Sequence, residues 1–293
     1  MKNAGINRKK IVPIKRNIIL SMLLFTILAV WMVWGNKAVM VNVITVSGNR
    51  IPAAFSGFRI AQVSDLHNAE FGKNNTELLK LLSESRPDII AITGDLIDAN
   101  HTDVGIALGF AQESVRIAPT YYVTGNHEAA SLQYDTLKAG LEEAGVIVLE
   151  DEAVSLERNG ETITLLGLGD PDFTVKGGMF GETSAMVSTK LKNLDDGEGG
   201  YTILLSHRPE LFETYVNCSI DLVFAGHAHG GQFRLPFISG LVAPNQGLFP
   251  QYDAGLYTDG STSMVVSRGI GNSIIPFRFN NRPEIVLVEL NAR

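Results

Sequence analysis

Five apolar runs rich in β-branched residues, at 58–64, 88–93, 120–124, 201–206 and 222–225, each lead directly into a short polar block. The blocks are Asp65-Leu66-His67, Gly94-Asp95-Leu96-Ile97-Asp98, Gly125-Asn126-His127-Glu128, Ser206-His207 and Gly226-His227-Ala228-His229-Gly230. Five of the chain's six histidines lie in them, together with its most conspicuous carboxylates. Short apolar runs of this kind read as buried strands. Imidazole and carboxylate at the ends of successive strands bring distant parts of the chain to one point, and they suit Zn, Mn or Fe. A fold for this sequence must therefore align strand ends.

A helical stretch follows each of the first three runs. Asn74 or Asn75 caps a helix through Leu82, a second helix covers 103–116, and a third covers 131–144 and stops at Gly145. Strand, polar block and helix, repeated, predict a layered α/β architecture with ligands gathering at the carboxyl ends of strands. The second half changes character. Runs at 146–149, 153–156, 162–168, 201–206, 222–225, 263–266 and 284–290 are strands with few helices between them, which predicts a second sheet packed on the first. The Gly-, Asp- and Ser-rich stretch 177–200 reads as a mobile surface excursion, and 235–259 as a long loop.

The N-terminus has its own logic. Residues 1–17 form a basic tail with Lys2, Arg8, Lys9, Lys10, Lys15 and Arg16 and no acid, and the stretch from Ile18 to Trp34 is uncharged. A bilayer core takes about 20 apolar residues with aromatics at its edges, so 18–36 is expected to be a single transmembrane anchor. A cleaved signal peptide is the competing reading, but such apolar regions are shorter and end in small residues of the A-x-A kind, which nothing in 33–41 fits well. The positive-inside rule puts the tail in the cytoplasm and the rest of the chain outside it, at the cell membrane. Residues 37–57 then form a linker and first strand, and 58–293 the catalytic domain.

Beyond residue 17 the chain has 18 basic residues against 31 acidic ones, a formal charge of −13. That surface repels polyanions, so no nucleic-acid partner is expected. The single cysteine, Cys218, excludes an intrachain disulfide and reads as a small buried hydrophobe. His101 lies outside every block and reads as a solvent-facing loop residue.

Residues two apart in an extended segment point the same way, so Asp65 and His67 can grip one ion, as can His227 and His229 if their loop stays extended. Asp95 can bridge two ions through its two oxygens, Asn126 offers a carbonyl oxygen, and His207 another imidazole. The inventory suffices for two metals.

In this order the blocks resemble the calcineurin-like metallophosphoesterase superfamily, with its D-x-H, G-D-x-x-D, G-N-H-[ED], H and G-H-x-H signature, over roughly residues 58–291. Ser64-Asp65-Leu66-His67, Ser206-His207-Arg208-Pro209-Glu210, Gly230-Gly231-Gln232 and the run Ser267-Arg268-Gly269-Ile270-Gly271-Asn272-Ser273 resemble its membrane-anchored bacterial YkuE-like branch. The resemblance implies a two-sheet β-sandwich flanked by helices, a four-layer αββα fold. It implies two divalent ions, Mn, Fe or Zn: one held by Asp65, His67, Asp95 and His229, the second by Asp95, Asn126, His207 and His227. It further implies His127 as the group that stabilises the phosphoryl transition state or protonates the leaving oxygen, paired with Asp98, which would fix its tautomer and keep it charged.

The expected activity is metal-dependent phosphoester hydrolysis by metal-hydroxide attack on phosphorus. The expected substrate is a phosphodiester or pyrophosphate near the bilayer, lipid-linked or from the cell wall; the expected state is a monomer. A phosphomonoesterase is the alternative within the enzyme class. A non-catalytic metal-binding scaffold is the alternative outside it, although such scaffolds would lose a bridging carboxylate or acid histidine, and this chain has Asp95 and His127. Arg208 can clamp a substrate phosphate or be a surface charge at a helix start. Arg268, Asn272 and Arg278 can line the pocket, while Gly269, Gly271 and Asn272 equally suit simple turn formation. Glu128 supports the site from behind or is a helix-start acid.

Overall fold

The structure is a computed structural model that describes residues 14–175, 180–194, 199–235, 237–273 and 275–293. The chain opens with helix α1 (Ile14–Lys37), continues into β1 (Met40–Gly48) and then repeats strand and helix: β2 (Arg59–Val63), α2 (Thr76–Glu84), β3 (Ile89–Thr93), α3 (Val104–Ser114) and β4 (Thr120–Val123). A short helix α4 (Asn126–Ala130), α5 (Tyr134–Ala144) and β5 (Ile147–Val148) complete this half. The second half has β6 (Glu152–Arg158), β7 (Glu161–Gly167), α6 (Phe180–Leu194), β8 (Tyr201–Leu205), α7 (Phe212–Asn217) and β9 (Leu222–Ala225). Four short strands follow, β10 (Arg234–Leu235), β11 (Ile238–Gly240), β12 (Val242–Ala243) and β13 (Gly247–Leu248), then β14 (Gly255–Asp259), β15 (Thr262–Val266) and β16 (Glu284–Ala292).

Two six-stranded sheets result, ordered β1-β16-β2-β3-β4-β5 and β14-β15-β9-β8-β7-β6. Neighbouring strands run parallel from β2 to β5 in the first and through β7, β8, β9 and β15 in the second. Alternation along each strand explains the layering. In β3, Ile89 and Ala91 face the second sheet, where they join Ile163, Ile203, Phe224 and Val265 in a shared core. Ile90 and Ile92 face outward and are covered by Leu78 and Leu82 of α2, Phe110 of α3 and Leu137 of α5. On the far side α6 and α7 lay Val187, Leu191, Phe212 and Tyr215 over Leu204, Val223 and Met264. Burying each such side chain contributes roughly 1.5–3 kcal/mol. The outcome is the expected α/β fold, two sheets face to face between helices.

Three details depart from the sequence reading. The polar stretch 177–200 contains α6, whose Val187 and Leu191, one turn apart, are buried on the second sheet. Its Gly, Ser and Asp content masked an apolar stripe, and 176–179 and 195–198 lie outside the described residues. The runs 146–149 and 284–290 join the first sheet rather than the second, as β5 at its edge and β16 between β1 and β2. The long loop 235–259 holds two small hairpins and the edge strand β14.

Helix α1 has a 21-residue stretch, Asn17–Lys37, long and apolar enough to cross a membrane, and none of its most apolar window is buried. The basic segment before Ile14 lies outside the described residues. Near its end α1 meets the domain. Trp31 packs edge-on against Phe279 at 5.3 Å, and the Arg282 guanidinium lies over Trp34 at 4.4 Å.

The two sheets are held in line at one end. Gln62, buried on β2, donates from Nε2 to Thr93 Oγ1 at 2.9 Å and to the carbonyl of Ala225 on β9 at 2.8 Å. That cross-sheet tie aligns the carboxyl ends of β2, β3 and β9, where the polar blocks begin.

Candidate metal centre

Three of the polar blocks, after β2, β3 and β9, leave their strands through sharp turns. Asp65, His67, Asp95, His227 and His229 all have φ between 45° and 65°. Left-handed backbone at a residue with a side chain costs of order 1–3 kcal/mol, and such strain gathers at functional sites. Backbone bonds impose it here: Asp65 N–H donates to Gly94 O and His67 N–H to Asp95 O, both at 3.0 Å. His227 N–H donates to Asp65 Oδ1 at 3.1 Å, which pulls the loop after β9 onto the loop after β2. The extended loop expected at 227–229 is absent. Because the backbone turns, His227 and His229 serve different clusters instead of gripping one ion together.

The first cluster is Asp65, His67 and His229, and a second is Asp95, His207 and His227; His67 and His127 also converge on Asp95. In the first, His67 Nε2 is 3.2 Å from His229 Nε2, and His229 Nε2 is 3.4 Å from Asp65 Oδ1. Asp95 Oδ2 stands between the two, 3.6 Å from His67 Nε2 and 3.2 Å from His207 Nε2. All these side chains are buried. Asn126 and His127 open α4, at the mouth of the same cleft.

Buried polar atoms are ordinarily paired. Here Asn126 Oδ1 is buried without a hydrogen-bond partner, beside the two clusters of imidazole and carboxylate. His207 Nδ1 lies 2.7 Å from the Thr93 carbonyl, so it carries the proton and leaves Nε2 to face Asp95. Such a donor set fits divalent transition metals. The surroundings favour loading. Burial lowers His67 to about 4 and His229 to about 3 against the opposing pull of nearby carboxylates, which keeps both rings neutral as ligands must be. His227 is likewise pushed well down, by burial and then by Arg208. His207 goes the other way: burial lowers it, but the Asp95 charge outweighs that and raises it to about 10. Asp95 itself, although burial opposes its charge, is held well below the usual carboxylate range by His207.

Two glycines make room for these groups. A side chain at Gly125 would collide with Asp95 Oδ1, and one at Gly226 with Ser64 Oγ and Asp65 Oδ2. Behind the ligands, Glu128 is buried and accepts three backbone N–H groups, from Asp95 at 2.8 Å, Gly125 at 2.7 Å and Ile97 at 3.2 Å. The carboxylate thus staples the loops after β3 and β4 together. Burial, with the Asp95 charge second, raises it to about 7.

His127 is held differently from the expected pairing. Its Nδ1 accepts the N–H of Ala99 at 3.0 Å, which sets the tautomer with the proton on Nε2, and Nε2 is 3.1 Å from Ser273 Oγ in the cleft. Asp98 Oδ2 is 3.6 Å from His127 Nδ1 and 3.7 Å from His67 Nδ1. Its other oxygen accepts the N–H groups of Asn100 at 2.9 Å and His101 at 3.1 Å. Asp98 therefore shapes the loop and faces two imidazoles, while a main-chain N–H sets the His127 tautomer.

Arg208 is buried and doubly bound to Asp170, Nε to Oδ2 at 2.6 Å and Nη2 to Oδ1 at 2.7 Å, with Asp172 at 3.0 Å. Burial opposes its charge, but Asp170 outweighs that and secures it. Its Nη1, 3.2 Å from His227 Nε2, borders the cleft. Arg278 and Asn272 do not line the cleft. The Arg278 guanidinium is buried, donating to the carbonyls of Arg268 and Gly271 and to Asn272 Oδ1, because the turns around Gly269 and Gly271 leave carbonyls that need donors. The same loop instead sends Ser273 and Ile275 to the cleft. Sequence reading singled out neither Asp170 nor Asn245, and had Ser273 only as part of the glycine-rich run. Asp170 lies 38 residues from its partner Arg208, a pairing that no local pattern reveals.

The cleft holds about 360 Å³ and is lined by Asp95, Asn126, His127, Arg208, His227 and His229 together with Val242, Ala243, Pro244, Asn245 and Ile275. Residues 58–231 match the family described as calcineurin-like phosphoesterase. A relative from Bacillus subtilis, the uncharacterized metallophosphoesterase YkuE, is 29% identical over 258 residues, covering 85% of this chain and 84% of the relative. The phosphodiesterase YaeI of Escherichia coli is 28% identical over 247 residues, 80% and 82% of the two chains. A transmembrane protein with metallophosphoesterase domain from Bos taurus is 28% identical over 265 residues, 86% of this chain and 57% of the relative.

Proposed function

Since the chain belongs to the calcineurin-like phosphoesterase family, we propose that it is a membrane-anchored, two-metal phosphoesterase that cleaves phosphodiester or pyrophosphate bonds. One observation carries this reading: two buried clusters of imidazole and carboxylate meet at Asp95, with Asn126 Oδ1 left without a hydrogen-bond partner beside them. Asp65, His67, Asp95 and His229 would hold one ion; Asp95, Asn126, His207 and His227 would hold the other. Mn, Fe and Zn all suit that set. When bound, the ions supply the Lewis acidity that activates water and neutralises phosphoryl charge.

The chain's own groups supply the rest. His127 presents an Nε2–H to the cleft, the right atom to hydrogen-bond the phosphoryl group, or to protonate the leaving oxygen once the ring carries a second proton. Asp98, 3.6 Å from that ring and 3.7 Å from His67, would help hold both imidazoles in place. Arg208, fixed by Asp170, directs Nη1 toward the cleft edge, where it can meet a phosphate oxygen. Asn272 and Arg278 act by bracing the loop that carries Ser273. The name of the YaeI relative favours diesters over monoesters.

Residues 18–36 are assigned as a single-pass anchor, with the basic tail 1–17 in the cytoplasm and the domain outside, as the positive-inside rule directs. The test is metal analysis of the purified protein followed by hydrolysis of aryl phosphomonoesters and phosphodiesters with each metal. Asp95→Asn and His227→Ala are expected to abolish turnover. Full metal-dependent activity in either variant would sink the assignment, and faster monoester turnover would move the enzyme to the phosphomonoesterases.

A further inference from the structure

Between Arg234 and Asp253 the sequence has no lysine, arginine, aspartate or glutamate, in a chain that is strongly acidic beyond residue 17. This stretch makes the hairpins β10–β11 and β12–β13. Its large apolar side chains face out: Phe237 is fully exposed, Leu248 is 70% and Phe249 62% exposed, and Leu235 and Ile238 also reach solvent. Phe277 joins them from the uncharged segment 269–277.

These residues belong to one connected surface. Phe249 N–H donates to Leu241 O and Leu241 N–H to Phe233 O, both at 2.9 Å. Phe233 packs edge-on against Phe277 at 5.4 Å and pairs through its backbone with Phe279. Phe279 in turn meets Trp31 of α1. At one edge, then, the surface is continuous with the last turns of the apolar helix. At the other it walls the metal cleft, through Val242, Ala243, Pro244 and Ile275.

We propose that this apolar face rests in the headgroup and upper acyl region of the bilayer that α1 spans, so that the cleft opens on the membrane surface and receives lipid phosphoesters. The inference rests on reading α1 as an anchor. Soluble surfaces seldom expose connected apolar patches of this kind unless something covers them. The helix contact sets the depth. Trp31 and Trp34 near the helix end suit the membrane–water interface, and the Phe279 that touches Trp31 must lie at that level. Charge agrees, because an acidic body is repelled by anionic headgroups and its uncharged face is the part able to approach them. A lipid substrate could then keep its acyl chains in the membrane while its phosphate reaches the ion-binding residues.

Depth measurements on the full-length protein in phosphatidylcholine–phosphatidylglycerol vesicles test this. In a Cys218→Ser background, single cysteines at Met22→Cys, Phe237→Cys, Phe249→Cys and Asn159→Cys carry an environment-sensitive fluorophore. Asn159 is exposed at the β6–β7 turn, by the amino end of β7 and so away from the cleft. Labels at 237 and 249 are expected to emit further to the blue and to be quenched by lipids with shallow nitroxides, while the label at 159 is not. A deep label at 22 with water-like labels at 237 and 249 overturns the proposal and leaves the anchor standing. Blue emission without lipid quenching also overturns it, pointing to a second copy of the chain as the cover. A shallow label at 22 removes the anchor and this proposal together. Hydrolysis of a soluble aryl phosphodiester by the same labelled protein reports on the phosphoesterase reading separately.

Discussion

Glu128 Oε2 accepts the backbone N–H of Asp95 at 2.8 Å, so the residue best placed to bridge two ions has its main chain fixed by a carboxylate 33 positions away. Glu128 also takes the amides of Gly125 and Ile97, and it is wholly buried. A carboxylate in this position holds the site in shape without entering the cleft.

Glu128→Ala should leave three buried N–H groups without acceptors, at about 1–3 kcal/mol each. We expect a drop of several kcal/mol in unfolding free energy and weaker metal retention, read by urea titration and metal analysis. The pH dependence has a definite sign. Glu128 is raised from 4.5 to about 7 in the folded state, chiefly by burial. A raised carboxyl contributes stability that is fully present below its unfolded pKa and lost as pH rises through the folded one. Metal-free wild type should therefore lose stability relative to Glu128→Gln between about pH 4.5 and 7. A flat difference across that window would contradict the assignment.

Metal binding should expel a proton from His207. That ring is raised to about 10 because the Asp95 charge outweighs burial, so it is charged in the metal-free protein at neutral pH. His67 and His229, lowered to about 4 and about 3, have no proton to give. Calorimetry of Mn binding at pH 7.5 in buffers of different ionisation enthalpy should give about one proton released per protein, with affinity rising as pH rises. Release of three or four protons would mean that the other histidines start charged.

Much of this site could be read from the blocks, because ligands at strand ends are local in sequence: Asp65 with His67, Asn126 with His127, His227 with His229. What could not be read was the backbone. The left-handed turns at Asp65, His67, His227 and His229 come from hydrogen bonds between loops far apart in the chain, and they split His227 from His229. Long-range pairs were equally hidden, such as Arg208 with Asp170 and Ala99 N–H with His127. The fold followed from strand and helix periodicity. It failed where composition and pattern disagreed, as in α6, whose two core-facing residues sit within a polar stretch.

Gly125→Ala is expected to damage the site without changing the fold. The added methyl would meet Asp95 Oδ1 and its backbone nitrogen. Overpacking of this kind costs about 1–3 kcal/mol, and displacing a ligand typically costs roughly 10–100-fold in metal affinity. Competition with a chelator should show that loss while circular dichroism stays that of wild type. Unchanged affinity would mean that Asp95 can shift and still bind.

His127→Ala separates chemistry from metal binding. The ring contacts Ser273 through Nε2 and receives the Ala99 N–H at Nδ1, so its removal leaves Asp65, His67, His207, His227 and His229 in place. Loss of a general acid typically costs about 10²–10⁴ in rate. Metal content should remain that of wild type while kcat on an aryl phosphodiester falls by that order. The loss should shrink as the leaving group becomes more acidic, since a good leaving group needs no proton. A uniform loss across leaving groups would instead assign His127 to holding the phosphoryl group, and a loss of metal would return it to the ligand set through its place beside His67 and Asp95.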